Sequence, residues 1–261
     1  MKVINLSSGS DGNLTYVETE HSRILVDVGL SCKETCERLS LIGVDGNDID
    51  AIIVSHEHSD HIKGVDVFSR KFGVPIYAHD EVWKEGLYDK LSKISERNKK
   101  VFSDTFALKD LVIDPVEVPH DVKCFGFSLK ENDKKISILT DLGHTNQQIF
   151  DKIKGSQLVY VEANYDPVLL KNCEKYPLAT RMRIAGKNGH LSNDASEELI
   201  EKLVQTGTRQ IVLAHLSKET NSPDLAFNYI TSRLAEHDFI EGEGFKIDVA
   251  LTRPTTFFKL K

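Results

Sequence analysis

Long apolar runs are missing from this chain. No segment approaches the ~18 consecutive apolar residues of a membrane-spanning helix, so no membrane partner is expected. The opening Met1-Lys2-Val3-Ile4-Asn5-Leu6 turns polar too soon for a secretory signal, and a cytoplasmic location is the expectation. Cysteine is scarce, with four in 261 residues. Cys32 and Cys36 fall in an expected helix, Cys124 and Cys173 stand alone, and no C-x-x-C pair occurs. That excludes a disulfide scaffold and a cysteine zinc knuckle. Positive charge is in deficit too: 33 Lys and Arg against 40 Asp and Glu leave a net charge of −7. Such a surface opposes indiscriminate nucleic-acid binding. Repeats, low-complexity tracts and interdomain linkers are absent. What remains is ordinary globular material, 40% apolar and 28% charged, long enough to bury a large core as a single domain over residues 1–261.

Periodicity divides the chain into two similar batches of strands and helices. A turn cluster, Ser7-Ser8-Gly9-Ser10-Asp11-Gly12-Asn13, follows a short opening strand. Leu14–Glu18 and Arg23–Val28 read as a hairpin, and Ser31 with Glu34 as the capping box of a helix to about Ile42. Strand Asp50–Val54, helix Gly64–Phe72 and strand Val74–Ala78 come next. Asp80–Lys100 reads as one charged helix with Trp83, Leu87, Leu91 and Ile94 facing the core. Strands are expected at Leu111–Val118, Phe125–Lys130, Ile136–Thr140, Leu158–Glu162, Arg209–Ala214, Phe245–Leu251 and Thr256–Lys259. Helices are expected at Asn146–Lys152, within Pro167–Ala185, and at Asp194–Leu203 and Asp224–Glu236. Two batches of this kind fit an α/β (α+β) fold of the αββα sandwich type, two mixed sheets face to face with helices outside.

The chemistry concentrates after strand Asp50–Val54, in Ser55-His56-Glu57-His58-Ser59-Asp60-His61. Neutral imidazole and carboxylate are the ligands that zinc, manganese and iron accept. His56 and His58, two apart beyond a strand end, can aim into one space; Asp60 and His61 follow a turn and can serve a neighbouring site. His120, Asp141 and His215 each end an apolar strand, and His190 precedes a helix in Asn188-Gly189-His190-Leu191-Ser192. Strand ends along one sheet edge hold side chains rigidly. His79 and His144 read as structural, and His21 and His237 as plain surface residues.

His56-Glu57-His58-Ser59-Asp60-His61 with His120, Asp141 and His215 resembles the H-x-H-x-D-H signature and later motifs of the metallo-β-lactamase-fold hydrolases. The resemblance implies that His56, His58 and His120 hold one divalent ion, that Asp60, His61 and His215 hold a second, and that Asp141 bridges them. The Ser/Gly-rich opening, Gly189-His190-Leu191-Ser192-Asn193 and Leu213-Ala214-His215-Leu216-Ser217 with Asn221 look like the YycJ/WalJ group, which implies a DNA exonuclease or general phosphodiesterase. An oxygen-reducing branch carries Glu where His58 stands, which disfavours a redox role. Only about twenty residues separate His120 from Asp141, too few for the arm of the related transfer-RNA-processing nucleases. Those enzymes also place a Glu supporting the catalytic histidine where Ile138 stands here.

Two ions roughly 3.5–4 Å apart would share and deprotonate a water, giving a bridging hydroxide. Asp60 would bind metal and accept a hydrogen bond from that hydroxide, and His190 would protonate the leaving oxygen or steady the transition state. Between Lys171 and Lys187 five basic residues face one Glu174, so Arg181, Arg183 and Lys187 are candidates to follow a phosphate backbone of a nucleic acid or other phosphodiester. Ser8 and Asn13 are candidates to line the cleft, and Tyr165 and Tyr176 to offer stacking faces. The competing readings are acyl hydrolysis of a thioester, lactone or lactam by the same centre, and a non-catalytic regulatory module.

Overall fold

The computed structural model describes residues 1–252 and 256–259, the last four by their backbone alone. The chain forms two compact units, Met1–Pro115 with Leu251–Lys261, and Val116–Ala250. Among the described residues fourteen strands assemble into two seven-stranded mixed sheets accompanied by helices, which is the expected α/β class.

In the first unit the strands are β1 (Lys2–Ser7), β2 (Leu14–Glu18), β3 (Arg23–Val26), β4 (Ala51–Val54), β5 (Ile76–His79), β6 (Lys99–Phe102), the short β7 (Phe106–Leu108) and, from the far end of the chain, β14 (Thr256–Lys259). The sheet order is β14-β1-β2-β3-β4-β5-β6. β1, β2 and β3 form an antiparallel meander, whereas β3 to β6 run parallel. Within the parallel part β4 reads as unbroken apolar sequence, as a strand buried on both faces does: Ala51-Ile52-Ile53-Val54 is wholly buried, whereas the edge strand β6 exposes Lys100 and Val101. Helix α1 (Cys32–Leu41) starts at the expected capping box: Ser31 Oγ accepts from Glu34 N, and Glu34 Oε2 accepts from Ser31 N. A single turn, α2 (Ser59–Ile62), precedes α3 (Val65–Phe72), which stops at Gly73 in the left-handed region at φ 72°.

The expected helix over Asp80–Lys100 is broken. One turn at Asp80–Val82 runs into a π turn, Trp83–Leu87, and a further turn, Tyr88–Lys90, before the chain becomes β6. Gly86 leaves helical geometry at φ 174°, ψ −13°. A Cβ there would lie 1.7 Å from Glu57 Oε2, so only glycine leaves room for that carboxylate at this point. The apolar stripe nevertheless packs as expected, with Trp83, Leu87, Leu91 and Ile94 all buried. Propensity set the side that faces inward, while pairing of β6 along β5 overrode the helix.

Strand β8 (Leu111–Val118) carries the chain into the second unit, where β9 (Cys124–Glu131), β10 (Lys134–Leu139), β11 (Leu158–Glu162), β12 (Gln210–Ala214) and β13 (Lys246–Val249) follow. The second sheet is ordered β13-β12-β11-β10-β9-β8-β7, with β10 to β13 parallel. Its helices are α4 (Gln147–Ile153), α5 (Pro167–Lys171), α6 (Leu178–Ile184), α7 (Asn193–Gln205) and α8 (Pro223–Glu236). Asn146, Asp166, Ser192 and Ser222 cap four of them. Leu139, Val161, Leu213, Leu199 and Ile230 join sheet and helices in one apolar core. A smaller cluster of Tyr165, Leu170 and Ile184, with Tyr176 against it, holds α5 to α6. Among the described residues no helix is long and apolar enough to cross a membrane.

Asp110 ties two turns of the first unit together. Its carboxylate accepts from Ser22 Oγ at 2.6 Å, Thr19 Oγ1 at 2.7 Å and His21 N at 3.0 Å. Partial burial pushes the carboxyl upward, but these donors outweigh it and hold the pKa at about 2. An unfolded Asp titrates near ~3.9, so the carboxylate stabilises the fold above that pH and the contribution fades as pH falls toward about 2. Asp110→Asn is expected to cost about 1 kcal/mol at neutral pH, allowing for solvent screening. In urea titrations the gap to the parent should close between pH ~4 and ~2; a gap unchanged over that range would show that charge is not the tie.

Candidate metal centre

The cluster of the first unit begins where β4 stops. Parallel pairing sets Val26 beside Ile53, so the residues just past these two strands, Asp27 and Ser55, meet. Asp27 takes the left-handed conformation at φ 59°, and its buried carboxylate accepts from Ser55 N at 2.8 Å and Ser55 Oγ at 2.9 Å. The same carboxylate accepts from His61 Nδ1 at 2.8 Å. That contact puts the ring proton on Nδ1 and turns Nε2 into the acceptor, the form in which an imidazole binds a divalent ion. His56 stands beside it, its ring centre 4.1 Å from that of His61 and 4.6 Å from that of His58. Asp60 Oδ2 lies 3.5 Å from His61 Nε2. The chain turns into α2 after His58, as the spacing predicts.

The Ser/Gly-rich opening braces this loop. Asn13 N donates to Asp60 O, Gly29 N to Asn13 O and Val28 N to His61 O, each at 2.8 Å. Gly29 is obligatory, because a Cβ would lie 1.7 Å from Asp60 O. Asn13 Oδ1 accepts from Gly9 N at 3.0 Å, which orients the amide so that Nδ2 donates to His61 Nε2 at 3.0 Å. Asn13, a candidate for the substrate cleft, is therefore buried as a support for His61, and Ser8 is buried in the same turn.

The cluster of the second unit follows the same logic. Leu139, Val161 and Leu213 are in register across β10, β11 and β12, so Asp141, Glu162 and His215 emerge together. Asp141 (φ 58°) and His215 (φ 55°) are left-handed as well. Glu162 is fully buried and its Oε1 accepts from His190 Nδ1 at 2.7 Å and His215 Nδ1 at 2.8 Å. Its Oε2 accepts from Leu142 N at 2.8 Å and Leu191 N at 3.3 Å. Asp141 Oδ1 lies 3.5 Å from His215 Nδ1, 3.8 Å from His190 Nδ1 and 4.0 Å from His120 Nε2. His120 is oriented by Nδ1 donating to Gly189 O at 3.2 Å. Burial alone would raise the Glu162 carboxyl and lower His190. The two imidazoles outweigh it for Glu162, which is held ionised, and Glu162 outweighs it for His190, which binds its proton more tightly than usual. Ligand atoms of Asp141, Glu162, His190 and His215 all fall within 4.8 Å of one another. Buried imidazoles oriented by carboxylates, beside an acidic group, are a donor set that fits a divalent metal.

Sequence reasoning missed Asp27 and Glu162. Each is the acidic end of an apolar strand, in Ile24-Leu25-Val26-Asp27 and Val159-Tyr160-Val161-Glu162, and that signal went unread. Glu162 also supplies the histidine support absent at Ile138, from the strand next door. Of the basic candidates, Arg183 pairs with Asp121 at 2.9 Å, Arg181 donates through Nη1 to Lys171 O, and Lys187 is exposed. Tyr165 is buried in the α5–α6 cluster and offers no stacking face. His79 and His144 are structural as expected, on Ser103 O at 3.1 Å and Lys187 O at 2.9 Å.

Residues 8–161 match the model of the metallo-β-lactamase superfamily. The chain belongs to that superfamily. It is similar to Exodeoxyribonuclease WalJ of Streptococcus pneumoniae serotype 2, 35% identical over 246 residues that cover 93% of this chain and 91% of that protein. Exodeoxyribonuclease YycJ of Bacillus anthracis is 34% identical over 245 residues, 93% of this chain and 92% of its own. Among solved structures, the metallo-β-lactamase fold protein YhfI from Bacillus subtilis aligns with TM-score 0.71 over 98% of this chain and 99% of its own, at 16% identity, which shows the fold.

Two substitutions probe the cluster. Glu162→Gln keeps the shape but removes the charge that orients His190 and His215, and zinc affinity in a competition titration is expected to fall ~10–100-fold; an unchanged affinity would refute the role. Gly29→Ala is expected to destabilise by roughly 2–3 kcal/mol through backbone displacement, read as a melting temperature several degrees lower.

Proposed function

We propose that this chain is a metal-dependent hydrolase that cleaves phosphodiester bonds, a nuclease of the DNA-exonuclease kind. The observation that carries this reading is the group around Glu162, where one buried carboxylate steadies His190 and His215 beside Asp141. The named activity of relatives that align along nearly the whole chain supports it. By family resemblance, His56, His58 and His120 would hold one divalent ion and Asp60, His61 and His215 another, with Asp141 as a further ligand. Zinc, manganese and iron all suit His and Asp donors.

When bound, the ions supply Lewis acidity and a water of lowered pKa. The chain's own residues do the rest. Asp60 accepts a hydrogen bond from the attacking water and so sets its direction. His190 differs from its neighbours in exposure: 13% of its side chain is accessible, against 0% for Glu162 and 2% for Asp141. With Nδ1 committed to Glu162, Nε2 is the atom that carries a proton to the leaving oxygen, and Glu162 stabilises the protonated ring. Arg181, Arg183 and Lys187 follow the phosphate backbone of the substrate, giving salt-sensitive binding. The protein works in the cytoplasm.

Metal-loaded protein is expected to hydrolyse an activated phosphodiester and end-labelled duplex DNA, and His61→Ala to abolish both. Turnover of thioesters without turnover of phosphodiesters would overturn the reading. His190→Ala is expected to lower kcat ~10²–10⁴-fold with KM little changed, and less so on a substrate whose leaving group needs no proton.

A further inference from the structure

We propose that Glu197, Glu201 and His237 form a divalent transition-metal site that clamps α7 to the end of α8, distinct from the groups assigned to hydrolysis. Glu197 and Glu201 are four apart on α7 and share one face. His237 caps the C-terminus of α8, and its Nδ1 lies 2.8 Å from Glu201 Oε2 and 4.0 Å from Glu197 Oε1. One ligand atom from each residue falls within 4.8 Å of the other two. An ion bound tetrahedrally at ~2.0–2.2 Å spaces its ligand atoms about 3.4 Å apart, and the two observed separations straddle that value. Small rotamer adjustments therefore suffice.

The second observation is Glu197 itself. Its side chain is only 5% accessible, and Oε1 is buried with no hydrogen-bond partner among the described residues. A carboxylate in that position is costly unless a positive charge meets it. His237, with Nδ1 on Glu201 and 4.0 Å from Glu197, offsets only part of that cost, as does the charge of Arg233. Arg233, the nearby guanidinium, pairs with Glu236 at 2.8 Å. Burial first, and then repulsion from Glu201, push the Glu197 carboxyl upward, as expected for a group facing a second acid across a gap. A dipositive ion resolves both, accepting one oxygen from each carboxylate and a nitrogen from a deprotonated His237. One nitrogen with two carboxylates suits zinc and its neighbours; calcium and magnesium require six or more oxygens. Three protein ligands leave the fourth position to water. The role this geometry gives the ion is structural, joining α7 to the C-terminal end of α8, whereas the hydrogen bond from Tyr229 Oη to Asp194 joins the two helices near the start of α7.

The test uses the full chain, stripped with chelator and titrated with zinc alone. The parent is expected to bind one more equivalent than His237→Ala and Glu197→Gln, while all three retain the same hydrolytic activity. Stability supplies an independent readout. In chelator Glu197→Gln should melt at or above the parent, since the carboxylate repulsion is gone. With zinc the order should reverse, because the parent alone gains the clamp. Equal stoichiometry in parent and variants, or a zinc-induced rise in melting temperature of the same size in all three, would overturn the proposal, because zinc at the hydrolytic centre alone raises all three alike. His237 is half-exposed at a helix end, so its replacement leaves the fold intact and the comparison readable.

Discussion

Everything distinctive in this structure depends on buried carboxylates that accept the Nδ1 proton of histidine. An imidazole alone can rotate and can carry its proton on either nitrogen; held at Nδ1, it presents Nε2 in one direction and one protonation state. Asp27 does this for His61, and Glu162 for His190 and His215. Burying a carboxylate costs several kcal/mol unless it is met by donors. Glu162 is met by four, two rings and the amides of Leu142 and Leu191. Asp27 is met by three, the amide and hydroxyl of Ser55 and the ring of His61.

The parallel strands exist in these positions to make that arrangement affordable. In each unit a carboxylate at or just past one strand end reaches a backbone amide beyond the end of the neighbouring strand, Asp27 to Ser55 and Glu162 to Leu142. Parallel register fixes both ends at the same height, so no loop has to find its place. The backbone then bends sharply away, and Asp27, Asp141 and His215 do so in the left-handed region. That conformation costs of order 1–2 kcal/mol for a residue other than glycine. Three such residues at three strand ends mark where packing gives way to chemistry. The choice of Asp in one unit and Glu in the other follows from reach: Asp27 serves one ring next to its own strand, whereas Glu162 spans to two rings from separate segments.

Legibility in the sequence tracked how local each feature was. Strands and capped helices were readable because short apolar runs and cap residues act within a few positions, as at Ser31 with Glu34 and at Gly73. The ligand candidates were readable because they interrupt apolar strands at their ends. Asp80–Lys100 misled because its charge and periodicity are helical, while what ends the helix is the pairing of β6 along β5, which no local pattern announces. Asp27 and Glu162 were overlooked for a related reason. A lone acid ending a strand has no meaning until the neighbouring strand is known, and register comes from pairing. His237 looked like surface for the same reason, its partners lying thirty-six and forty residues earlier, at Glu201 and Glu197.

The basic segment and the second-unit cluster are joined more closely than the sequence implied. The segment that carries Arg181, Arg183 and Lys187 is fastened to the second-unit cluster by its own backbone. His190 N donates to Ile184 O at 2.9 Å, His120 Nδ1 to Gly189 O at 3.2 Å and His144 Nδ1 to Lys187 O at 2.9 Å. Arg183 reaches Asp121, whose other oxygen lies 3.2 Å from His120 Nε2. An exposed ion pair of that kind contributes little to stability, so it can open toward a phosphate at small cost. The carbonyls, in contrast, hold the backbone of the turn between α6 and His190 against the imidazoles of His120 and His144 and the amide of His190, so that backbone keeps a fixed relation to the ring that Glu162 orients.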